Sequence, residues 1–148
     1  MKSNTGANGL VVNANDVTIY GLFVEHYQEY QVLWNGERGR VYFYQSEIPY
    51  DPPDQESYTS DPGVNGWAAY KVAPNVTTHE AWGLGIYSVF RQREVTLTRA
   101  IEVPETPNVK LHNMITVRLG NNGEIANIVN DKGGAADGKA RPRLTSFP

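Results

Sequence analysis

The sequence contains no cysteine. Disulfides and thiolate chemistry are therefore excluded, and any metal site has to use His, Asp or Glu. No stretch of 18 apolar residues occurs, so no segment reads as a membrane-spanning helix. The first residues, MKSNTGANGL, lack the apolar core of a secretory signal. Positive charge is also scarce. Thirteen Lys and Arg stand against 16 Asp and Glu, a net charge of -3, which leaves no basic field to recruit nucleic acid or an anionic membrane. No glycine-rich phosphate loop with a following Lys and helix is present, and no serine elbow, which excludes kinase-like, nucleotide-cyclase and serine-hydrolase chemistry. Helical periodicity is missing too, because Gly, Pro or Asn interrupts every window in which a 3.6-residue apolar repeat could begin.

What remains is a 148-residue chain with 40% hydrophobic, 11% aromatic and 20% charged residues. That is long enough for a core that removes roughly 70% of the unfolded surface from water. Strand signals dominate, in runs rich in β-branched and aromatic residues. They cover 9–14, 17–26, 30–35, 40–48, 67–73, 81–90, 95–103, 109–119 and 124–129. Residues 50–66 (YDPPDQESYTSDPGVNG) contain three prolines and read as a long surface loop inserted in an all-β module spanning 1–131. Residues 132–148, rich in Gly, Ala and Pro, read as an extended tail that frays.

Two architectures fit these runs. Val17-Thr18-Ile19-Tyr20 and Val41-Tyr42-Phe43-Tyr44 lie 24 residues apart, and the runs beginning at Ile86 and Val109 lie 23 apart. A period in the twenties suits a parallel β-helix, in which each strand pairs with its copy in the next coil. Asn13, Asn15, Asn35, Asn113, Asn127 and Asn130 suit coil corners. Asn35-Gly36, however, could close a two-residue hairpin, which would favour a β-sandwich.

The segments Tyr20-Gly21-Leu22-Phe23-Val24-Glu25-His26, Val32-Leu33-Trp34-Asn35-Gly36, Gly39 to Pro53 (GRVYFYQSEIPYDPP) and His79-Glu80-Ala81-Trp82-Gly83-Leu84-Gly85 resemble the C-terminal part of large secreted microbial β-helix proteins similar to glycoside hydrolase family 55, the β-1,3-glucanases. The resemblance runs from about Thr5 to about Val129. It implies a right-handed parallel β-helix, a glucan as substrate class and a secreted parent protein, and it assigns no catalytic residue here.

From the residues themselves, Glu25 and Glu47 stand out as a candidate catalytic pair. They lie 22 residues apart near the ends of corresponding strands, and stacked coils would bring their strands to about 4.8 Å. Two carboxyls that close could serve as the acid and nucleophile of a glycosidase. Trp34, Tyr50, Asp51, Tyr58, Trp67 and Trp82 are the candidate substrate-binding residues, with rings to stack on sugar faces and a carboxylate to take hydroxyls. The loop acids Asp51, Asp54, Glu56 and Asp61 would also suit a hard cation such as calcium. His26 neighbours Glu25 and His79 neighbours Glu80, but adjacent strand residues face opposite sides, so neither dipeptide should chelate an ion alone. No metal centre and no cofactor is therefore expected.

The expected partners are a polysaccharide or oligosaccharide, and either the remainder of a longer chain or another copy meeting the open solenoid end. No nucleic acid or membrane partner is expected. The reading favoured is a glycan-binding or structural β-helix module, and the alternative is a glycoside hydrolase working through the carboxylate pair.

Overall fold

The computed structural model describes residues 4–148; residues 1–3, which open the expected module, lie outside the described residues. Thirteen strands form among the described residues: β1 (Leu10–Val12), β2 (Thr18–Phe23), β3 (Val32–Trp34), β4 (Gly39–Glu47), β5 (Thr59–Asp61), β6 (Val64–Asn65), β7 (Tyr70–Val72), β8 (His79–Ser88), β9 (Thr96–Leu97), β10 (Ile101–Glu102), β11 (Val109–Arg118), β12 (Glu124–Ile125) and β13 (Arg143–Phe147). There is no helix among the described residues, and none long and apolar enough to cross a membrane.

Two sheets, parallel but for the antiparallel edge strand β13, define the architecture. One is ordered β1-β3-β7-β10 and the other β13-β11-β8-β4-β2. Apart from β5, β6, β9, β12 and β13, successive strands alternate between these two sheets, so each coil adds one strand to each. Parallel strands joined by such crossovers adopt the right-handed turn, and the result is a right-handed parallel β-helix. The hairpin through Asn35-Gly36 does not form. Asn35 and Gly36 instead turn the corner between β3 and β4, both donating backbone N–H bonds to the Val12 carbonyl one coil away.

The pairing is parallel, as the repeat implied, but the register differs. Ile19 pairs with Val41 and Tyr20 with Tyr42, an offset of 22 residues and not 24. Ile86 pairs with Thr116, and Val109 with His79, so the 23-residue match between those runs does not correspond to a coil. Between the second and third coils Gly39 pairs with His79, the extra length being taken up by the loop after β4.

The core lies between the sheets. Val41, Ala81 and Leu111 form one fully buried column and Tyr44, Leu84 and Met114 another. These columns are three residues apart along the strand, which strict alternation forbids. A stacked kink explains it. Gly21, Phe43, Gly83 and Asn113 have φ of 66°, 69°, 68° and 57°, and the ladder skips each of them. One left-handed residue per coil reverses the in-out parity, so Tyr42 and Phe43 both lie outside the buried columns.

The tail does not fray. β13 pairs antiparallel with β11, setting Phe147 opposite Leu111 and Leu144 opposite Met114. Phe147 and Ala136 are buried, so apolar residues in an otherwise polar tail anchor it to the coil stack.

Candidate functional site

The strand β2 ends at Phe23, but its ladder contacts with the next coil continue. Val24 N–H donates to the Gln45 carbonyl at 3.3 Å, and His26 N–H to the Glu47 carbonyl at 3.0 Å. These bonds hold Glu25 and His26 of one coil against Glu47 of the next. His26 has a φ of 65°. That left-handed turn defeats the alternation rule: Glu25, His26 and Glu47 each present one ligand-capable atom, and all three atoms lie within 4.8 Å of one another. Convergence comes from stacking across coils, together with a backbone conformation that residue pattern did not disclose. All three side chains are half-buried.

Around this cluster, His26 Nε2 lies 3.4 Å from Glu47 Oε2, and the Tyr50 hydroxyl donates a hydrogen bond to the same oxygen. The Tyr50 ring meets the His26 imidazole edge-on, with centroids 4.4 Å apart. Arg91 sits over the other aromatic contact surface, its guanidinium 5.0 Å from the Tyr50 centroid. It is fixed by Asp51, which accepts from Arg91 Nε at 3.1 Å and forms a second bond to the same guanidinium. A charged pair thus holds the ring that holds Glu47.

Beside the cluster runs a groove of about 670 Å³. His26, Tyr50, Asp51, Tyr58 and Trp67 line it, with Gln28, Glu29 and Gln92 as further polar groups. Apolar and aromatic walls carrying a few polar groups are the usual form of a small-ligand site. Tyr58 is nearly buried, its ring against Phe90, and burial raises its hydroxyl pKa above the ordinary value of 10.0. Trp67 packs edge-on against Tyr30 with centroids 4.9 Å apart.

The sequence candidates therefore divide. Glu25, Glu47, Tyr50, Asp51, Tyr58 and Trp67 come together at or beside the groove. Trp34 does not, being completely buried. Its indole packs on His79 at 4.8 Å as part of the core, where no ligand can reach its face. Trp82 is also away from the groove, in an outward-facing stack that runs Tyr20, Tyr42, Trp82, His112 with centroid steps of 5.0, 4.6 and 5.2 Å. Rings stacked face to face offer mainly their edges to solvent. The loop acids do not form one cation site: Asp51 is paired with Arg91, and Asp54 accepts from the Ser57 N–H and hydroxyl at 2.8 and 2.7 Å. The residues missed from sequence are His26, Gln28, Glu29 and Gln92. For His26 the residue pattern carried no signal, because its placement depends on a positive φ.

The fold and this side-chain arrangement define a parallel β-helix with an acid-bearing groove. A family model described as the LAM55 pectate lyase-like domain matches residues 1–47. An exo-beta-1,3-glucanase from Streptomyces sp. (strain SirexAA-E / ActE) is 38% identical over 150 residues, covering 99% of this chain and 25% of the relative. The solved structure of sacteLam55A from Streptomyces sp. SirexAA-E superposes with a TM-score of 0.94 over 99% of this chain and 27% of that one, at 38% identity. A glutamate-to-alanine variant of sacteLam55A in complex with glucose matches with the same TM-score at 37% identity. The chain thus resembles a β-helix segment of glycoside hydrolase family 55 proteins, and it spans about a quarter of the length of the relatives it matches.

Proposed function

We propose that this chain forms one wall of a β-1,3-glucan-binding cleft, the wall that carries the acid. The observation that carries this reading is the convergence of Glu25, His26 and Glu47 beside a groove walled by Tyr50, Tyr58 and Trp67. The kinship with an exo-beta-1,3-glucanase supports glucan as the ligand class, and supports an extracellular setting for the protein.

The same geometry argues against complete catalysis by this segment. A glycosidase needs carboxyl groups that flank the scissile bond from opposite sides. Glu25 and Glu47 approach from adjacent coils, so both stand on one side of any sugar in the groove. Glu47, oriented by Tyr50 and His26, delivers the proton to the leaving oxygen, and Glu25 supports it from the neighbouring coil. The group acting on the opposite sugar face comes from further protein, the remainder of a longer chain. The module alone binds glucan and does not turn it over.

The test is calorimetric titration of the chain with laminari-oligosaccharides, alongside reducing-sugar release from laminarin. Binding that weakens in Trp67→Ala, without sugar release, is the expected result. Absence of any binding at millimolar ligand would overturn the reading, and release abolished by Glu25→Gln would show that the two carboxyls suffice alone.

A further inference from the structure

We infer that Glu25, His26 and Glu47 form a binding site for a divalent transition-metal ion of the zinc type. The donor set is one imidazole nitrogen and two carboxylates, a combination that suits zinc and its neighbours. Calcium, which takes six or more oxygens, is poorly served by it.

Three observations support the assignment. First, the three candidate donor atoms lie within 4.8 Å of one another, and one edge already has the required length. Zinc–nitrogen and zinc–oxygen bonds of about 2.0–2.1 Å at tetrahedral angles place two ligand atoms about 3.4 Å apart. His26 Nε2 and Glu47 Oε2 are 3.4 Å apart. Second, the charges balance. Among the described residues Glu47 has only His26 as an ion partner and Glu25 has none, although Arg91 pairs with Asp51 nearby. Two adjacent carboxylates match the charge of a divalent ion. Third, the ligands are held in advance. The inter-coil backbone bonds at Val24 and His26 fix the two coils, and the left-handed His26 turns its ring to the side of its neighbour Glu25. The half-buried position leaves the fourth coordination place for water.

Bound metal would occupy the oxygens through which Glu47 passes its proton, so the ion is an inhibitor that competes with glucan. That consequence rests on the function proposed above, whereas metal binding itself does not.

The experiment is titration of the chelator-treated chain with Zn²⁺ by calorimetry, and with Co²⁺ by visible absorption. One equivalent is expected, with the intense absorption of four-coordinate cobalt. His26→Ala and Glu47→Gln should each weaken Zn²⁺ binding at least tenfold. His112→Ala, which removes the separate His112–Glu80 pair at 2.8 Å, should leave it unchanged. His26→Gln, similar in size to histidine, serves where the alanine variant melts early, and it too should lose the metal. Undiminished binding in His26→Ala or His26→Gln, or loss in His112→Ala, would overturn the site. Failure of the chain to bind laminari-oligosaccharides would leave these outcomes intact, so the two readings fail separately.

Discussion

Phe43 and Asn113 occupy the same place in coils two apart, and both hold the left-handed backbone that reverses the facing of the strand, at φ 69° and 57°. Asparagine adopts this conformation readily and a bulky residue does so at a cost of about 1–2 kcal/mol. Phe43 is 54% exposed and its ring meets only Phe23 at 5.6 Å among aromatics. Replacing Phe43 with Asn should therefore raise unfolding stability by up to about 1 kcal/mol, read by urea denaturation. Phe43→Val, β-branched at the same φ, should lower it.

That kink also explains which parts of the fold were legible in the sequence. The strands were visible as β-branched and aromatic runs, and the parallel repeat as a period in the twenties. The register was not. Matching Val17 to Val41 slips the true Ile19–Val41 pairing by two residues, and a two-residue slip leaves every side chain on its own face. Hydrophobic pattern cannot detect it. The polar residues could: Asn35 donates to Asn13 at 2.8 Å and Arg38 to Asp16 at 2.7 Å, each across 22 residues. Glu25 and Glu47 carry the same offset, which is why that pair was found. His26 escaped because its orientation depends on a positive φ. Trp34 was misplaced because an aromatic residue gives no sign of whether its face meets solvent or, as here, His79.

Gly39 opens β4 directly beneath the Trp34 indole, and a methyl group there would overlap the ring. Gly39→Ala should cost about 1–3 kcal/mol through overpacking. The accompanying signal is a red shift in tryptophan emission as the buried indole is displaced. A variant with unchanged melting and emission would show that the coil can shift to admit the methyl.

His79 is fully buried, with Nε2 2.8 Å from the Tyr70 hydroxyl, and burial lowers its pKa from 6.5 to about 4. The unfolded chain binds this proton more readily than the native one between those values. Stability is therefore complete above pH 6.5 and declines as pH falls toward 4, by about 2 kcal/mol at pH 5. Asp16, Glu37, Asp54 and Asp137 are held below their ordinary values, chiefly by hydrogen bonds, so their share of stability is likewise lost on acidification and not on raising the pH. Urea unfolding at pH 7, 6 and 5 measures the decline. His79→Gln, less stable at pH 7, should show a flatter profile.

Removing residues 141–148 deletes β13 and uncovers one edge of β11, a ten-residue strand. An exposed flat edge pairs with other chains. The truncated chain should form concentration-dependent oligomers in light scattering, whereas Phe147→Ala, which keeps the strand but loses its buried anchor, should lower the melting temperature without assembling.

In and beside residues 50–66, two aromatic side chains have separable duties, and this replaces the picture of a structureless loop. β5 and β6 form a short antiparallel hairpin. Gln55 ties its base to the body of the protein, accepting from the Thr96 N–H at 2.6 Å and donating to the Thr96 carbonyl at 3.2 Å. Tyr58 lies 4% exposed against Phe90. Trp67, just beyond the loop, is only half-buried and keeps surface on the groove. Tyr58→Ala should cost about 3 kcal/mol, as the loss of a large buried ring does. Trp67→Ala should leave most of the stability in place while weakening laminari-oligosaccharide binding about tenfold, the equivalent of about 1.4 kcal/mol. Thermal melts and calorimetry on the same two proteins separate the effects. Equal stability losses with unchanged glucan affinity would make both rings core residues, and the groove would then lose its aromatic wall.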